Sequence, residues 1–381
     1  MKKISTIIAS LILTLGLSAQ INPIKIAKNL DKATNEKIIR SGNEVFSNLI
    51  VNPNPYSATS LNTKTANTSE TIIGTTTYDL QSNASVQNRI IYHADGTISA
   101  AWTMSSILDA AWADRGTGYN FFDGVNWGSF PTNRLESSRG GWPSMIVMDS
   151  GKEAAVTHNT TNSYVNMTHR ATTGSGNWTE QNISSYDDVT SIYRDMIWNR
   201  TAVGGNDNKS LHMIAVTAST TFLGTPFNGL DGALVYYRSQ DEGVTWDIQD
   251  MQLPGLDTSI YYGGTGHSGD SYAITAKGNT IAIAYFAGFA DAILLKSTDN
   301  GDTWIKTTFS NFPIDKYVYD SGIDLDNDLI ADTVYTTDGS GAILIDNNDI
   351  VHITYGNMRV LDADLTDDGM SYFPGTNGLM Y

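Results

Sequence analysis

Four aspartates stand at positions 1, 3, 5 and 9 of the stretch DLDNDLIAD, namely Asp324, Asp326, Asp328 and Asp332. Carboxylates at this spacing are the hard oxygen ligands of calcium loops of the EF-hand and dockerin kind. The pattern departs from those loops at two positions, because Leu329 replaces the turn glycine and Tyr335 replaces the bidentate glutamate. The stretch therefore predicts either a calcium site or a solvated acidic loop.

A second set of polar residues stands just before short apolar runs. The set consists of Arg89, Arg139, Arg194, Asp195, His267, Asp270 and Asp338. If these side chains converge, their guanidinium groups could hold an anionic sugar, because the guanidinium fork matches a carboxylate. The alternative is that they are ordinary turn and capping residues, which loops carry in any case. The choice depends on the elements that position them.

One motif of eight residues occurs twice and indicates what those elements are. SQDEGVTW begins at Ser239 and STDNGDTW begins 58 positions later at Ser297; their shared residues include Ser239, Asp241, Gly243 and Trp246, and Ser297, Asp299, Gly301 and Trp304. The aspartate is expected to accept hydrogen bonds from backbone N–H groups about two residues on, and the glycine to adopt positive φ. The tryptophan then begins an outer strand and buries its ring. The motif is therefore interpreted as structural, with degenerate copies ending at Trp127 and Trp178.

Short apolar strands recur throughout the chain from Thr71 onward. Five similar segments start at Gly96, Gly151, Lys209, Gly278 and Asn348, at intervals of 55 to 70 residues. Four of the five directly follow a turn and a compact apolar strand, as in a hairpin. A repeating unit of this size is typical of one blade of a β-propeller. The sequence thus predicts an all-β fold.

On these motifs, the region from Thr71 onward resembles the sialidase-like β-propellers with Asp boxes, also called BNR repeats. It is also similar to secreted propeller proteins of Bacteroidetes, many of which have no assigned activity. The resemblance implies that Arg89 matches one of three carboxylate-binding arginines, although Ile91 replaces the proline of that motif. It also implies that Asp114 lies where the family has its general acid. The family's nucleophilic tyrosine and its glutamate partner cannot be placed in this sequence, and they could lie in the part expected to be missing. The catalytic candidates are Arg89, Asp114, Arg139, Arg194 and Asp195.

Five blades are readable and six are expected, with the last readable blade truncated. The chain stops at Tyr381 before a further Asp box, so we interpret it as a fragment of a longer protein. In that interpretation Thr71–Gln81 forms the outer strand that closes the ring. The expected domains are a signal peptide over 1–19, a linker or propeptide-like segment over 20–70 and the propeller over 71–381.

Composition and the N-terminus predict an exported protein. Two lysines, an apolar run and small residues in MKKISTIIASLILTLGLSAQ are typical of a signal peptide, the alternative being a membrane anchor. We therefore expect a secreted or outer-surface protein, of Gram-negative type. The formal net charge of −17 excludes nucleic acid as a favoured partner, and the absence of cysteine excludes disulfides and thiolate metal sites.

These expectations leave three functions open. The first is a binding module for a glycan or a surface protein, which uses the loop face around the propeller axis. The second is a glycoside hydrolase of the sialidase (exo-alpha-sialidase) type, which the resemblance suggests. The third is a surface scaffold without a small-molecule site. Calcium is the one cofactor predicted, and the oligomeric state stays open.

Overall fold

The computed structural model describes residues 70–78, 80, 88–108, 111–159, 164–183, 186–187, 192–264, 266–267, 269–363, 365–366, 369–373 and 375–381. The expected signal peptide lies outside these residues, as does nearly all of the expected linker. Within them the protein is all-β, with one 3-10 helix at Thr220–Phe222 and no α-helix. No helix in the described part of the chain is long and apolar enough to cross a membrane.

Antiparallel sheets follow one another along the chain, as in the blades of a propeller. The first has three strands, β1 (Ile90–Tyr92), β2 (Ile98–Met104) and β3 (Gly116–Phe122). The second has four, β4 (Gly140–Val147), β5 (Glu153–Asn159), β6 (Val165–Arg170) and β7 (Thr179–Asn182). A small two-stranded sheet follows, made of β8 (Tyr186–Asp187) and β9 (Ile192–Tyr193).

The remaining sheets repeat this order. The third blade contains β10 (Met196–Gly204), β11 (Ser210–Thr217), β12 (Leu234–Ser239) and β13 (Ile248–Met251). The fourth contains β14 (Tyr272–Lys277), β15 (Thr280–Tyr285), β16 (Ala292–Ser297) and β17 (Ile305–Ser310). The fifth contains β18 (Thr333–Ile345), β19 (Val351–Leu361), β20 (Ser371–Tyr372) and β21 (Gly378–Met380), with β20 and β21 both paired to β19.

Two compact units make up the chain. The larger consists of Ile73–Tyr319, Val334–Met358 and Gly378–Tyr381, and the described part of the smaller lies within residues 70–72, Asp320–Thr333 and Arg359–Asn377. In the larger unit every residue of β11 and β15 is buried. Strands covered on both faces are expected to be continuously apolar rather than alternating, and SLHMIAVT and TIAIAY largely follow that rule. The first strand of the third blade, β10, packs against both β4 and β14.

The five repeated segments correspond to β2, β5, β11, β15 and β19, so the repeat unit and the all-β prediction are confirmed. Two details of the prediction were wrong. Residues 71–78 form no strand, and instead the Thr77 N–H donates to Ser105 O at 2.8 Å. The fifth blade begins at Thr333 rather than near Ala342, so Asp338 lies inside β18 instead of before it.

Both eight-residue motifs form the same turn. The Asp241 carboxylate accepts the Thr245 N–H at 2.8 Å, and the Asp299 carboxylate accepts the Thr303 N–H at 2.9 Å. The acceptor contact therefore reaches four residues on, not two as the sequence suggested. Gly243 and Gly301 adopt φ values of 82° and 88°. Within each turn the serine hydroxyl also donates to the aspartate and accepts the glycine N–H. Trp246 and Trp304 are half-buried against the core.

Candidate functional site

Four arginines of the larger unit gather where strands of the first three blades begin. Arg89, Arg115 and Arg139 each stand one residue before a strand, namely β1, β3 and β4, and Arg200 lies within β10. We call these four residues the arginine cluster. Their proximity is evident at His158, because the charges of Arg115, Arg139 and Arg200 all act to lower its pKa. The Arg200 charge also acts to lower the pKa of Arg89.

Two equivalent β-bulges place tryptophans beside the arginine cluster. Pairing of β4 with β5 slips between Gly141 and Ser144, and pairing of β10 with β11 slips between Ile197 and Arg200. Each slip contains a tryptophan in the left-handed region, Trp142 at φ 52° and Trp198 at φ 53°. Positive φ is unfavourable for a bulky side chain, and bulges that re-aim side chains concentrate at functional sites. Because the same bulge occurs in two neighbouring blades, the placement of a tryptophan beside the arginine cluster is a regular feature of this fold.

His158 links the two bulged tryptophans. Its ring stacks on Trp142 at 4.6 Å between ring centres, and its Nδ1 accepts the Trp198 N–H at 2.9 Å. The Arg115 guanidinium lies 4.2 Å from the centre of the Trp142 ring, which is a cation–π contact. Phe222, which is 40% exposed, meets Trp198 edge to face at 5.2 Å. Arg115 thus lies against one end of a continuous set of aromatic rings, formed by Trp142, His158, Trp198 and Phe222.

The electrostatics of the cluster are those of crowded positive charge. Burial lowers the pKa of Arg89 to about 9, with the Arg200 charge acting in the same direction and Asp270 opposing it. Burial and the neighbouring Arg139 lower the pKa of Arg115 to about 10. Burial, followed by the three arginine charges, holds the pKa of His158 well below its ordinary value, so this imidazole is neutral near pH 7.

One carboxylate faces the cluster directly. Asp270 accepts a hydrogen bond from Arg200 Nη2 at 2.5 Å and is itself one-quarter exposed. Gly269 precedes it, and a Cβ at that position would lie 2.3 Å from the Trp198 ring, so only glycine lets the chain pass there without displacing the indole. Trp142 supplies an unused donor, since its buried Nε1–H has no hydrogen-bond acceptor among the described residues.

The other predicted residues before the third blade lie differently. The Arg194 guanidinium pairs with Asp250 at 2.7 Å and stacks 4.6 Å from the Phe227 ring, which directs it toward β13. Asp195 is half-buried at the start of β10, and its backbone oxygen accepts the Ala218 N–H at 2.9 Å. Desolvation by partial burial raises the pKa of its carboxyl.

Asp114 and Asp338 are held by local contacts. Asp114 accepts hydrogen bonds from the Ser105 hydroxyl and from the Ser106 N–H at 2.7 Å. Partial burial acts to raise the pKa of Asp114, but these hydrogen bonds outweigh it and the pKa is lowered. Asp338 accepts the Ser340 N–H at 2.9 Å and leaves no room for a side chain at Gly356.

His267 is buried on the same side of the sheets. Its Nδ1 accepts the Leu234 N–H at 3.0 Å, so the neutral ring carries its proton on Nε2. Burial lowers the pKa of His267 to about 3. The Nε2–H has no acceptor in the described part of the chain, and the ring packs on Tyr261 and Tyr285 at 4.6 and 5.0 Å.

Three of the four aspartates in the smaller unit converge. One carboxylate oxygen each from Asp324, Asp326 and Asp332 lies within 4.8 Å of the others. Asp328 instead turns its carboxylate to the Ile330 N–H at 2.8 Å. Leu329, at the predicted glycine position, adopts φ 68°. The converging carboxylates are hard oxygen donors suited to calcium, and Asp328 is directed away from them.

Sequence reasoning missed Arg115, Arg200, Trp142 and Trp198. Arg115 precedes a third strand rather than a first strand, and Arg200 and both tryptophans depend on bulges that shift the strand register. A usable signal was present, since a tryptophan occurs near the start of both first strands, in GGW and MIW.

Comparisons with known proteins give only distant similarity. No family model matches the chain, and no curated protein matches it. Solved structures align with it at TM-scores of 0.40 for a protein of unknown function from Dyadobacter fermentans DSM 18053, 0.45 for a PL25 ulvan lyase, and 0.35 for Trypanosoma rangeli sialidase. In the same order, the sequence identities are 10%, 11% and 11%. The alignments cover 74%, 80% and 72% of this chain, and 81%, 72% and 46% of the other chains.

Proposed function

We propose that this protein is a binding module for an acidic glycan and that the arginine cluster holds the carboxylate groups of its sugars. The observation that carries this proposal is the crowding of four arginines beside two tryptophans on equivalent strained bulges. Like charges held together in partly buried positions destabilise a fold, and a bound anion offsets that repulsion. Guanidinium groups bind carboxylates through paired N–H donors, and the neighbouring rings provide apolar surface for the faces of sugars.

Binding titrations of hexagalacturonate and 3′-sialyllactose test this function. We expect Arg139→Gln to weaken binding about 10- to 100-fold, because hydrogen bonds to charged groups contribute about 1.5–3 kcal/mol. Arg139 is half-buried and donates to the backbone oxygens of Trp112 and Ala111 at 3.0 and 2.8 Å. The matched control is Arg134→Gln, because Arg134 is also half-buried and donates to the backbone oxygens of Glu136 and Ser137. Arg134 meets the cluster only through a 3.5 Å contact with the Arg115 backbone oxygen. Equal affinity of the wild type and Arg139→Gln for both probes would rule out the cluster as the site.

A glycoside hydrolase of sialidase type is the second candidate. The partial burial that raises the pKa of Asp195 supports it, because a general acid needs a pKa above that of an exposed carboxyl group. Release of fluorophore from 4-methylumbelliferyl sialoside, abolished in Asp195→Asn and in Arg139→Gln, would favour hydrolysis. Saturable binding of sialyllactose without turnover would favour the binding module. Retaining hydrolysis also needs a nucleophile across the bond from the acid, which the described residues do not identify.

We also propose that the protein works outside the cytoplasm, secreted or on the outer cell surface, where glycans and surface proteins are its partners. The signal-like N-terminal sequence supports this location. Calcium is the proposed cofactor, bound by Asp324, Asp326 and Asp332. The three converging carboxylate oxygens support that assignment, since extracellular calcium sites work with modest affinity and incomplete protein ligand sets.

A further inference from the structure

A compact aromatic pocket opens on the strand-entrance side of the larger unit, outside the arginine cluster. Its volume is about 330 Å³, which is at the small end of ligand pockets. Six aromatic rings contribute to it, those of Tyr261, Tyr262, Tyr285, Phe289, Tyr317 and Tyr319. No charged side chain is among the described residues that line it.

Three loops supply five of the six rings and are tied together, and the end of β15 supplies the sixth, Tyr285. Tyr261 and Tyr262 lie between β13 and β14, Phe289 lies between β15 and β16, and the last two tyrosines follow β17. The Tyr261 hydroxyl donates to Asp291 O at 2.9 Å, and the Lys316 N–H donates to Ile260 O at 2.8 Å. The walls of the pocket are therefore fixed by cross-loop hydrogen bonds rather than by side-chain packing alone.

Phe289 is placed in the wall by a strained backbone. It adopts φ 60°, and its N–H donates to the Thr336 hydroxyl at 2.8 Å. Its ring lies 5.6 Å from Tyr319 and 6.0 Å from Tyr317. An aromatic residue adopts this conformation only where the surroundings enforce it, and such positions concentrate in ligand sites.

The tyrosines combine buried and accessible surfaces. Tyr261 and Tyr285 are 3% exposed each, whereas Tyr262 and Tyr319 are 40% and 46% exposed. His267 packs on the two buried tyrosines and carries the Nε2–H donor that has no acceptor among the described residues. The lining of the pocket thus presents apolar ring faces next to tyrosine hydroxyl groups, and His267 supports the two buried tyrosines from behind the lining.

We propose that this pocket binds a neutral pyranose ring. A pyranose has apolar C–H faces that suit aromatic rings and a rim of hydroxyl oxygens that accept and donate hydrogen bonds. The uncharged lining gives no counterion to an acidic sugar. Proline-rich peptides also bind aromatic surfaces, but they occupy elongated grooves over several residues rather than one compact cavity.

The pocket and the arginine cluster share one connecting segment. The residues between β13 and β14 include Tyr262 in the pocket and Asp270 at the cluster, eight positions apart. An extended chain of that length spans at most about 28 Å, so one oligosaccharide reaches both places. This linkage, which rests on the proposed function, makes the ligand a polymer that contains acidic and neutral sugars; the pocket itself does not depend on it.

The test uses the whole protein and three kinds of probe. The neutral probes are cellohexaose, xylohexaose and mannohexaose, the acidic probe is hexagalacturonate, and the mixed probe is a hyaluronan octasaccharide. Binding is followed by saturation-transfer NMR and titration calorimetry for the wild type, Tyr262→Ala, Tyr319→Ala and Arg139→Gln. Tyr92→Ala serves as the control, because Tyr92 is 74% exposed on β1 and outside the pocket.

We expect at least one neutral hexasaccharide to bind, with affinity reduced at least tenfold in Tyr262→Ala and Tyr319→Ala. The same affinity is expected to be unchanged in Tyr92→Ala. Failure of all neutral probes to bind, or binding that both pocket variants retain, overturns the pocket proposal. Pocket-dependent binding of a decaproline peptide in place of sugars also overturns it.

The two sites fail separately in this design. A wild-type protein that binds a neutral hexasaccharide but not hexagalacturonate contradicts the proposed role of the arginine cluster and leaves the pocket proposal intact. If the mixed octasaccharide binds no more tightly than the best of the neutral and acidic probes, the proposal that one polymer occupies both sites is ruled out. Thermal unfolding of each variant identifies any loss that comes from misfolding.

Discussion

Some residues of the candidate site can be predicted from the sequence, whereas others become site residues only through the backbone geometry. Arg89, Arg139 and Asp270 were predicted because each stands beside the start of an inner strand, and the structure brings them to one region. Trp142 and Trp198 were not predicted as site residues, because their orientation depends on bulges that a two-residue alternation cannot show. The pattern of residues gives positions along strands, whereas side-chain direction depends on where the register slips.

Buried histidines make stability fall as the pH decreases. Burial, as the largest cause, lowers the pKa of His158, His212 and His267, the last two to about 3. Below pH 6.5 these three histidines bind protons in the unfolded chain but stay neutral in the folded chain. Their contribution to stability is therefore fully present above that pH and is lost as the pH falls. Buried Glu136 has a raised pKa and opposes this trend by at most one proton. The expected slope is about 3–4 kcal/mol per pH unit near pH 5.

Urea unfolding at about pH 7.5, 6.5, 5.5 and 5.0 measures that slope. Replacing one of these groups, as in His212→Asn, removes about one-third of the histidine contribution even if the variant is less stable overall. Stability that stays constant from pH 7.5 to 5.5 would contradict the burial of these rings.

Leu329 offers a stabilising substitution. It is 94% exposed and adopts φ 68°, a conformation that costs a non-glycine residue about 1–2 kcal/mol. Leu329→Gly is expected to raise the free energy of unfolding by up to about 1 kcal/mol. The substitution relieves the backbone strain, and the larger backbone entropy that glycine loses on folding offsets part of that gain. Thermal unfolding checks this, with Leu325→Gly, at a half-exposed neighbour without positive φ, expected to destabilise.

At the scale of strands and turns, the repeat was the most informative feature of the sequence. The five repeated segments predicted five second strands, and the two full Asp motifs gave the turn between third and fourth strands. The prediction was wrong at Thr71–Gln81, whose threonine, isoleucine and tyrosine residues favour a strand. Its described part instead places Tyr78 edge to face with Trp112 at 5.2 Å, so packing of one ring overrides the local pattern.

A buried ion pair joins the first two blades. Arg170 donates to Glu153 at 2.7 and 2.9 Å, and both side chains are nearly inaccessible. Glu153 also accepts from Ser99 and Tyr119 of the first blade. Arg170→Leu should destabilise the protein by about 3–5 kcal/mol, because it leaves a buried carboxylate without its counterion.

The double variant Glu153→Leu/Arg170→Leu separates charge from packing. It is expected to recover much of the stability lost in Arg170→Leu, since no uncompensated charge remains. Urea unfolding of wild type, single and double variants gives the comparison. If the double variant is less stable than Arg170→Leu, packing rather than the buried charge is the main contribution.

Calcium is expected to stabilise the loop of converging aspartates. With a dissociation constant of about 1 mM, 10 mM calcium adds about 1.4 kcal/mol to the free energy of unfolding. Asp326→Asn should abolish the increase, whereas Asp328→Asn should retain it because the Asp328 carboxylate is not among the three that converge. Melting temperatures with EGTA and with added calcium provide the measurement. A response of equal size in both variants would exclude the three-carboxylate site.

For the whole molecule, charge acts differently at long and short range. The formal net charge is −17, yet the arginine cluster is locally positive. An acidic polymer is therefore repelled at a distance and attracted on contact. The composition predicts the repulsion at a distance. The attraction on contact can be predicted only from the folded structure, because the four arginines are spread from position 89 to position 200 of the sequence.

This opposition predicts an unusual salt dependence of binding kinetics. Raising NaCl from 10 to 150 mM shortens the Debye length from about 30 to about 8 Å, which screens the distant repulsion and should increase the association rate of hexagalacturonate several-fold. The partly buried contacts of the cluster are screened less, so the dissociation rate should change little over the same range. Stopped-flow fluorescence measures both rates, and a neutral hexasaccharide is the control whose association should not respond to salt. A fall in the association rate as salt increases would mean that the cluster dominates even the distant field, and the acidic remainder of the surface would then have no part in selecting the ligand.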